Sequence, residues 1–426
     1  MLLSLTALPS SSGTTVIYNS IVSSGTIVQE ARHTNSNPDL LLESYSSNIR
    51  RVMFSGFESA DTYAAKSDVW IGHIEQVSTA LLIHETNQNH TCLLYRNIRL
   101  LWLPGTTEYN EDQYNLFIAN GWLLKGASGE YVNVKNQAYL VDFGNPAYQT
   151  WVANWYKSNL DSYGLDGVYI DNCLPNDEIF YSLSEWPINP RTGESWHSNQ
   201  VTEALTNLVN TIKDAIGPKI VIGNIVISGT HFFREDLHQS YVEFLTNSKL
   251  DGFLCEMWVS SFSTPEWYTE EKWKEGIDMA VWVDKNYLSN NNKIFWTMSD
   301  NAETLWPPGQ IILPSGVTQE QYATYCYASR LLTITNGQNW INFGLYMPED
   351  FPQCLFQIDI GTPIGEYYTM SSHIYVREYT DGKILVNPTY TSFTITIGEG
   401  YADATTGASL SSTITVQPHT GLILSK

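Results

Sequence analysis

Charge is what this sequence has least of: Asp, Glu, Lys and Arg make up 15% of its 426 residues, against about a quarter in ordinary soluble globular proteins. Basic residues are the scarcer kind, 22 against 44 acidic. The resulting formal charge of −22 repels a phosphate backbone, which sets nucleic acid aside as a partner. No run of about 18 apolar residues occurs, so no membrane span is expected. The five cysteines, at 92, 173, 255, 326 and 354, form no Cys-x-x-Cys pair and no zinc-ligand spacing. A dense disulfide scaffold and a structural zinc are thereby excluded, and buried free thiols are the expectation, with a single bridge as the alternative. Neither a G-x-x-x-x-G-K-[ST] loop nor a G-x-G-x-x-G turn is present, so the expectation is no cofactor and no metal.

What is there instead is aromatic and hydroxyl-bearing. Phe, Trp and Tyr account for 13% of the chain. Ser, Thr, Asn, Gln and Tyr must cover a surface with few charges, which suits a neutral glycan and an extracellular or virion-associated setting. The length fits one large catalytic domain with one small module.

From about residue 50 to 345, short β-branched or aromatic runs alternate with amphipathic stretches, the signature of a parallel α/β architecture. Eight strands are predicted, near 51–54, 68–71, 91–95, 167–170, 220–223, 252–255, 293–297 and 340–345. The strongest helical spacing follows Ser198, read as an N-cap, with Val201, Leu205, Leu208, Val209 and Ile212 on one face and Gly217-Pro218 as the stop. After about residue 372 the period drops to two, and Asp381-Gly382 marks a hairpin. The predicted architecture is a (β/α)₈ TIM barrel with a C-terminal antiparallel β domain. Its parts are an N-terminal extension over 1–49, the catalytic barrel over 50–365 and a β-sandwich-like domain over 372–426.

Two segments echo each other: Leu165-Asp166-Gly167-Val168-Tyr169-Ile170-Asp171 and Leu250-Asp251-Gly252-Phe253-Leu254-Cys255-Glu256. In each, Asp-Gly opens a strand and a carboxylate closes it. With side chains alternating along a strand, Gly167, Tyr169 and Asp171 share one face, as do Gly252, Leu254 and Glu256. Asp171 and Glu256 then face inward at one level, at the end where barrel enzymes carry their active sites. Glycosidic cleavage needs two such carboxyls, one to protonate the departing oxygen and one to attack or to activate water. Asp166 and Asp251, at the strand bases, read as turn or cap residues.

The run through Asp142-Phe143-Gly144-Asn145-Pro146 and on to Asp166-Gly167-Val168-Tyr169-Ile170-Asp171-Asn172 resembles the glycoside-hydrolase-like family numbered fifteen. It is also similar to the polygalactosaminidase-like barrels, whose fourth strand reads Asp-Gly-Val-aromatic-aliphatic-Asp. The likeness extends loosely over residues 50–425, to the Arg377, Gly382 and Leu385-Val386-Asn387-Pro388 pattern of the β domain. Tyr169-Ile170-Asp171-Asn172-Cys173 further resembles the nucleophile strand of the α-galactosidase clan. That resemblance implies a retaining enzyme with Asp171 as nucleophile and Glu256 as acid/base. The chain departs from that clan in having Glu rather than Asp on strand six, and in lacking a Lys two residues before the nucleophile.

Further candidates for contact with a polysaccharide or oligosaccharide substrate lie at predicted strand ends, each with a structural alternative. Arg96, Asn97, Asn172 and Asn224 are placed to bond sugar hydroxyls or to shape loops; Trp258 and Trp296 to stack on a sugar or to fill the core. Glu75, Asp142 and Tyr346 complete the set. Ser228-Gly229-Thr230-His231 raises a serine hydrolase, but without a G-x-S-x-G elbow it reads as a loop. The reading is therefore a hydrolase of O-glycosidic bonds, and its non-enzyme rival is a glycan-binding adhesin or virion protein on a degenerate barrel.

Overall fold

The computed structural model describes residues 49–54, 59–106, 109–178, 183–260, 266–288, 293–299, 314, 316–334, 338–342, 353–370 and 373–426. Eight strands form a closed barrel: β1 (Ile49–Phe54), β2 (Val69–Gly72), β3 (Thr91–Asn97), β4 (Gly167–Asp171), β5 (Ile220–Val226), β6 (Gly252–Cys255), β7 (Ile294–Met298) and β8 (Gln338–Asn342). Each pairs in parallel with the next, and β8 closes on β1. Every predicted strand overlaps an observed one. Residues 343–345, the predicted end of the eighth, lie outside the described residues, as do most of the N-terminal extension and Tyr346.

The inner faces interlock as a packed core of Val52, Val69, Ile71, Leu93, Tyr169, Ile222, Leu254, Trp296 and Trp340. Val168, Ile170, Phe253 and Cys255 join the helix layer instead. The helix Pro146–Tyr163, α1, starts where Asn145 accepts from the backbone of Ala147 and Tyr148, with Pro146 opening the first turn. It ends at Gly164, whose φ of 66° is the left-handed stop. The next helix, α2, runs over Ser198–Ile216 and buries the five apolar residues of the predicted face. Its N-cap is His197, one residue before the predicted Ser198.

The Asp-Gly echo has a structural cause at the base of the barrel. Asp166 Oδ2 accepts from the backbone N–H of Cys92 at 2.8 Å, and Asp251 Oδ2 from that of Val221 at 2.8 Å. Asp68, opening β2, does the same for Arg51 at 2.8 Å. Each aspartate thus satisfies an amide in the first residues of the preceding strand, as a cap should. The glycines are there for space: a Cβ on Gly167 would lie 2.2 Å from the Ile220 carbonyl, and one on Gly252 2.5 Å from that of Ile294.

The antiparallel domain opens at Pro363, ahead of the change in periodicity at residue 372. Its five-stranded sheet has the order β9 (Pro363–Met370), β10 (Ile374–Tyr379), β11 (Gly382–Asn387), β15 (Thr420–Ser425), β13 (Ala402–Asp403). A two-stranded ribbon, β12 (Phe393–Thr396) with β14 (Thr413–Val416), accompanies it. Ile374, Val376, Leu385 and Leu424 pack on Ile395 and Val416 of the ribbon, giving a sandwich-like core. The other face, Ile384, Val386 and Ile423, merges with the barrel's helix layer. Arg377 donates to the carbonyls of Leu332 and Ile334, and Tyr379 to that of Leu331. They satisfy the orphan acceptors where the last barrel helix, α3 (Gln319–Leu331), ends.

His90 lies buried near the base, its Nε2 2.9 Å from Ser67 Oγ. Burial, helped by the charge of Arg50, pushes its pKa down to about 4. The unfolded chain therefore binds a proton that the folded one refuses. The stabilisation is full above about pH 6.5 and lost as the pH falls through about 4, roughly 3 kcal/mol in all. Thermal melts at pH 7 and pH 4.5 check this: wild type should lose more stability between the two than His90→Asn does.

Candidate active site

Asp171 ends β4 and Glu256 directly follows β6. Because Tyr169 and Leu254, two residues earlier, point into the barrel, both carboxyls rise from its C-terminal mouth. Asn224 on β5 lies between them, just before a register shift from Asn224 to Val226, the kind of bulge that re-aims side chains beside active sites. Its Nδ2 donates to Asp171 Oδ1 at 3.1 Å and to Glu256 Oε2 at 3.4 Å, so those two oxygens are at most the sum of the legs, 6.5 Å, apart.

Asp171 accepts from several donors besides Asn224. Tyr95 donates its hydroxyl to Oδ2 at 2.7 Å, and the Asn172 backbone N–H reaches Oδ1 at 2.8 Å. Longer contacts come from Asn172 Nδ2 at 3.4 Å and Asn97 Nδ2 at 3.5 Å. Asn172 folds back in this way at a φ of 53°, a left-handed conformation of the kind strained active-site residues adopt. Asn97 is itself fixed, its Oδ1 accepting from the Arg99 and Leu100 backbones at 3.0 Å each. His73 stacks on Tyr95 with ring centroids 4.3 Å apart. Burial lowers the His73 pKa against the pull of Glu75 and Asp171, which favours the neutral ring.

Asp171, Glu256, Asn172, Asn224 and Asn97 thus come together as one cluster, and the other predicted contacts divide. Trp258 is 1% exposed and donates to the Gly276 carbonyl at 2.9 Å; Trp296 is fully enclosed in the barrel. Neither offers a face to a sugar, and both are core residues: Trp296 on β7 points into the barrel, and Trp258, past the end of β6, packs into the helix layer. Asp142 is held by Arg191 through contacts of 3.0 Å to both carboxylate oxygens and clamps the long loop after β4. It is a structural ion pair rather than a substrate contact. Arg96 lies on the opposite face of β3 from Tyr95 and Asn97, against Trp151 and Trp155 of α1. Glu75 is exposed on the turn Ile74–Gln76 after β2.

Tyr95 and His73 were not among the predicted residues. The alternation that places Asp171 also puts Tyr95 inward from Leu93, but an aromatic at a strand end reads as core. Ser228, His231 and Glu178 do form a relay, with Oγ to Nδ1 at 2.7 Å and Nε2 to Oε1 at 3.0 Å. Ser228 is 1% exposed, however, and accepts from the His231 backbone as the cap of the short helix Gly229–Phe233. A serine so enclosed cannot reach a substrate. Among the described residues, Cys92, Cys173, Cys255 and Cys326 are buried free thiols, and no helix is long and apolar enough to cross a membrane.

A closed parallel barrel with paired carboxyls at its C-terminal mouth is the layout of a barrel glycoside hydrolase. The chain belongs to hypothetical glycosyl hydrolase family 15, whose model matches residues 84–383, and it is a glycoside hydrolase. No curated protein sequence matches it. Among solved structures, an α-amylase from Malbranchea cinnamomea is similar with a TM-score of 0.52 at 12% identity, over 91% of this chain and 97% of that one. An Anoxybacillus α-amylase gives 0.52 at 10% identity, over 88% and 98%. At such identities the likeness is one of fold.

Proposed function

We propose that the protein cleaves O-glycosidic bonds of an extracellular or cell-envelope polysaccharide with retention of anomeric configuration, Asp171 acting as nucleophile and Glu256 as acid and then base. The observation that carries the mechanism is the Asn224 amide spanning both carboxyls, at 3.1 and 3.4 Å. The 6.5 Å bound this places on the two oxygens falls at the short limit of the roughly 6.5–9.5 Å that admits a water, and supports the closer spacing of retaining pairs, roughly 5–5.5 Å. In the first step an Asp171 oxygen bonds to the anomeric carbon, the glycosidic C–O bond breaks, and Glu256 gives its proton to the leaving oxygen. In the second, Glu256 takes a proton from water, the water oxygen bonds to the anomeric carbon, and the bond to Asp171 breaks.

Release of reducing ends from a panel of polysaccharides tests the function. An adhesin would bind members of the panel and release none. A site outside the cell or on a virion is proposed from the charge-poor composition; finding the native protein confined to the cytoplasm would contradict it.

Tyr95 is expected to hold the nucleophile through its 2.7 Å bond. Tyr95→Phe removes one charge-assisted hydrogen bond, so kcat should fall roughly 10- to 100-fold with little change in melting temperature. Steady-state kinetics beside a thermal melt check both halves.

A further inference from the structure

A groove of about 690 Å³ lies on the β2–β3 side of the mouth, beside the carboxyl pair, neither of which lines it. Tyr95 and Asn97, which touch Asp171, belong to its lining and connect it to the pair, and Trp102, Tyr109, Trp151 and Trp155 contribute aromatic walls. Its volume lies within the roughly 300–1,000 Å³ of small-molecule sites, enough for more than one sugar ring.

Arg96 forms part of this wall, and among the described residues its side chain makes no ion pair or hydrogen bond. Its Nε and Nη2 are enclosed without a partner, and the residue lines the groove. The guanidinium lies over the rings of Trp155 and Trp151, at 4.4 and 5.0 Å, which holds the cation but gives it no acceptor. Trp102 Nε1, in the same wall, is a second enclosed donor with no partner. Unsatisfied donors beside a cavity call for ligand oxygens. Exposed Glu75 and Asp112 line the groove as well and supply acceptors.

We infer that this groove is a glycan subsite for a neutral, hydroxyl-rich sugar unit next to the scissile bond, oriented by Arg96 and Glu75. This rests on the glycosidase reading. A sugar hydroxyl both accepts and donates, so it can accept from an Arg96 N–H while giving its own hydrogen to Glu75. A uronate would satisfy Arg96 but set its charge against Glu75, Asp112 and Asp171, and is disfavoured.

The test is binding, measured on the Asp171→Asn background by tryptophan fluorescence and calorimetry. The probes are dimers and hexamers of α-1,4-glucose, β-1,4-galactose and β-1,4-N-acetylglucosamine, with hexagalacturonate as the acidic counterpart. At least one neutral hexamer should bind more tightly than its dimer. Glu75→Gln, at an exposed position, and Arg96→Met, which keeps the packing between the tryptophans, should each weaken that hexamer roughly 10- to 100-fold. Hexamer affinity unmoved by both variants, or tightest binding by hexagalacturonate, overturns the subsite. Groove-dependent binding to a wild-type protein that hydrolyses nothing would support the subsite while removing the glycosidase reading.

Discussion

Asp171→Asn should retain no more than about one part in 10⁴ of wild-type turnover while folding normally. The amide cannot form the ester with the anomeric carbon, so what is lost is the reaction path rather than a stabilising contact. Folding should survive because Asp171 is only partly buried at the rim and the substitution is nearly isosteric. Some rearrangement is expected, since the Nδ2 now replacing one oxygen faces donors from Tyr95, Asn172 and Asn224. A melt within a few degrees of wild type, beside the lost activity, separates chemistry from unfolding. Wild-type-like turnover would show that the nucleophile lies elsewhere.

Glu256→Gln should lower kcat by about 10²- to 10⁴-fold, with a loss that depends on the leaving group. A natural sugar leaving group needs the proton Glu256 supplies, whereas a dinitrophenolate departs without one, so its glycosylation step should be nearly spared. Deglycosylation would still be slow for want of a base. Azide, which needs no base, should therefore rescue Glu256→Ala on the activated substrate and yield a glycosyl azide of retained configuration. Equal losses on good and poor leaving groups would contradict an acid role. Asp171→Asn with Glu256→Gln together should be hardly worse than Asp171→Asn alone, because the two groups serve one reaction.

The barrel and its carboxyl pair were legible because they depend on short-range rules. Period-two alternation along β4 and β6 places Asp171 and Glu256, and the Asp-Gly openings mark strand bases by caps and close contacts that few other residue pairs satisfy. The limits appear where polarity and strand length part company. β3 runs to Asn97 and β5 to Val226, past the apolar runs that define them in sequence, because their mouth-facing residues serve the carboxyls rather than the core. Tyr95 lay inside its predicted strand and was hidden because an aromatic at a strand end reads as core. Trp258 and Trp296 fail in the opposite direction: neither proximity to Glu256, for the one, nor a place on β7, for the other, says which packed layer receives the ring. The Asp142–Arg191 clamp joins residues 49 apart, a pairing only the folded loop reveals.

Covalent trapping is the most direct measurement of the proposed chemistry. Once the sugar at the cleavage point is known, its 2-fluoro glycoside with a dinitrophenyl leaving group should inactivate the enzyme by arresting the intermediate. Mass spectrometry of the digested protein should then find one added fluoroglycosyl group, on the peptide carrying Asp171. A label on Glu256 or any other residue, or turnover that leaves no label and gives the inverted anomer as first product, would contradict the assignment.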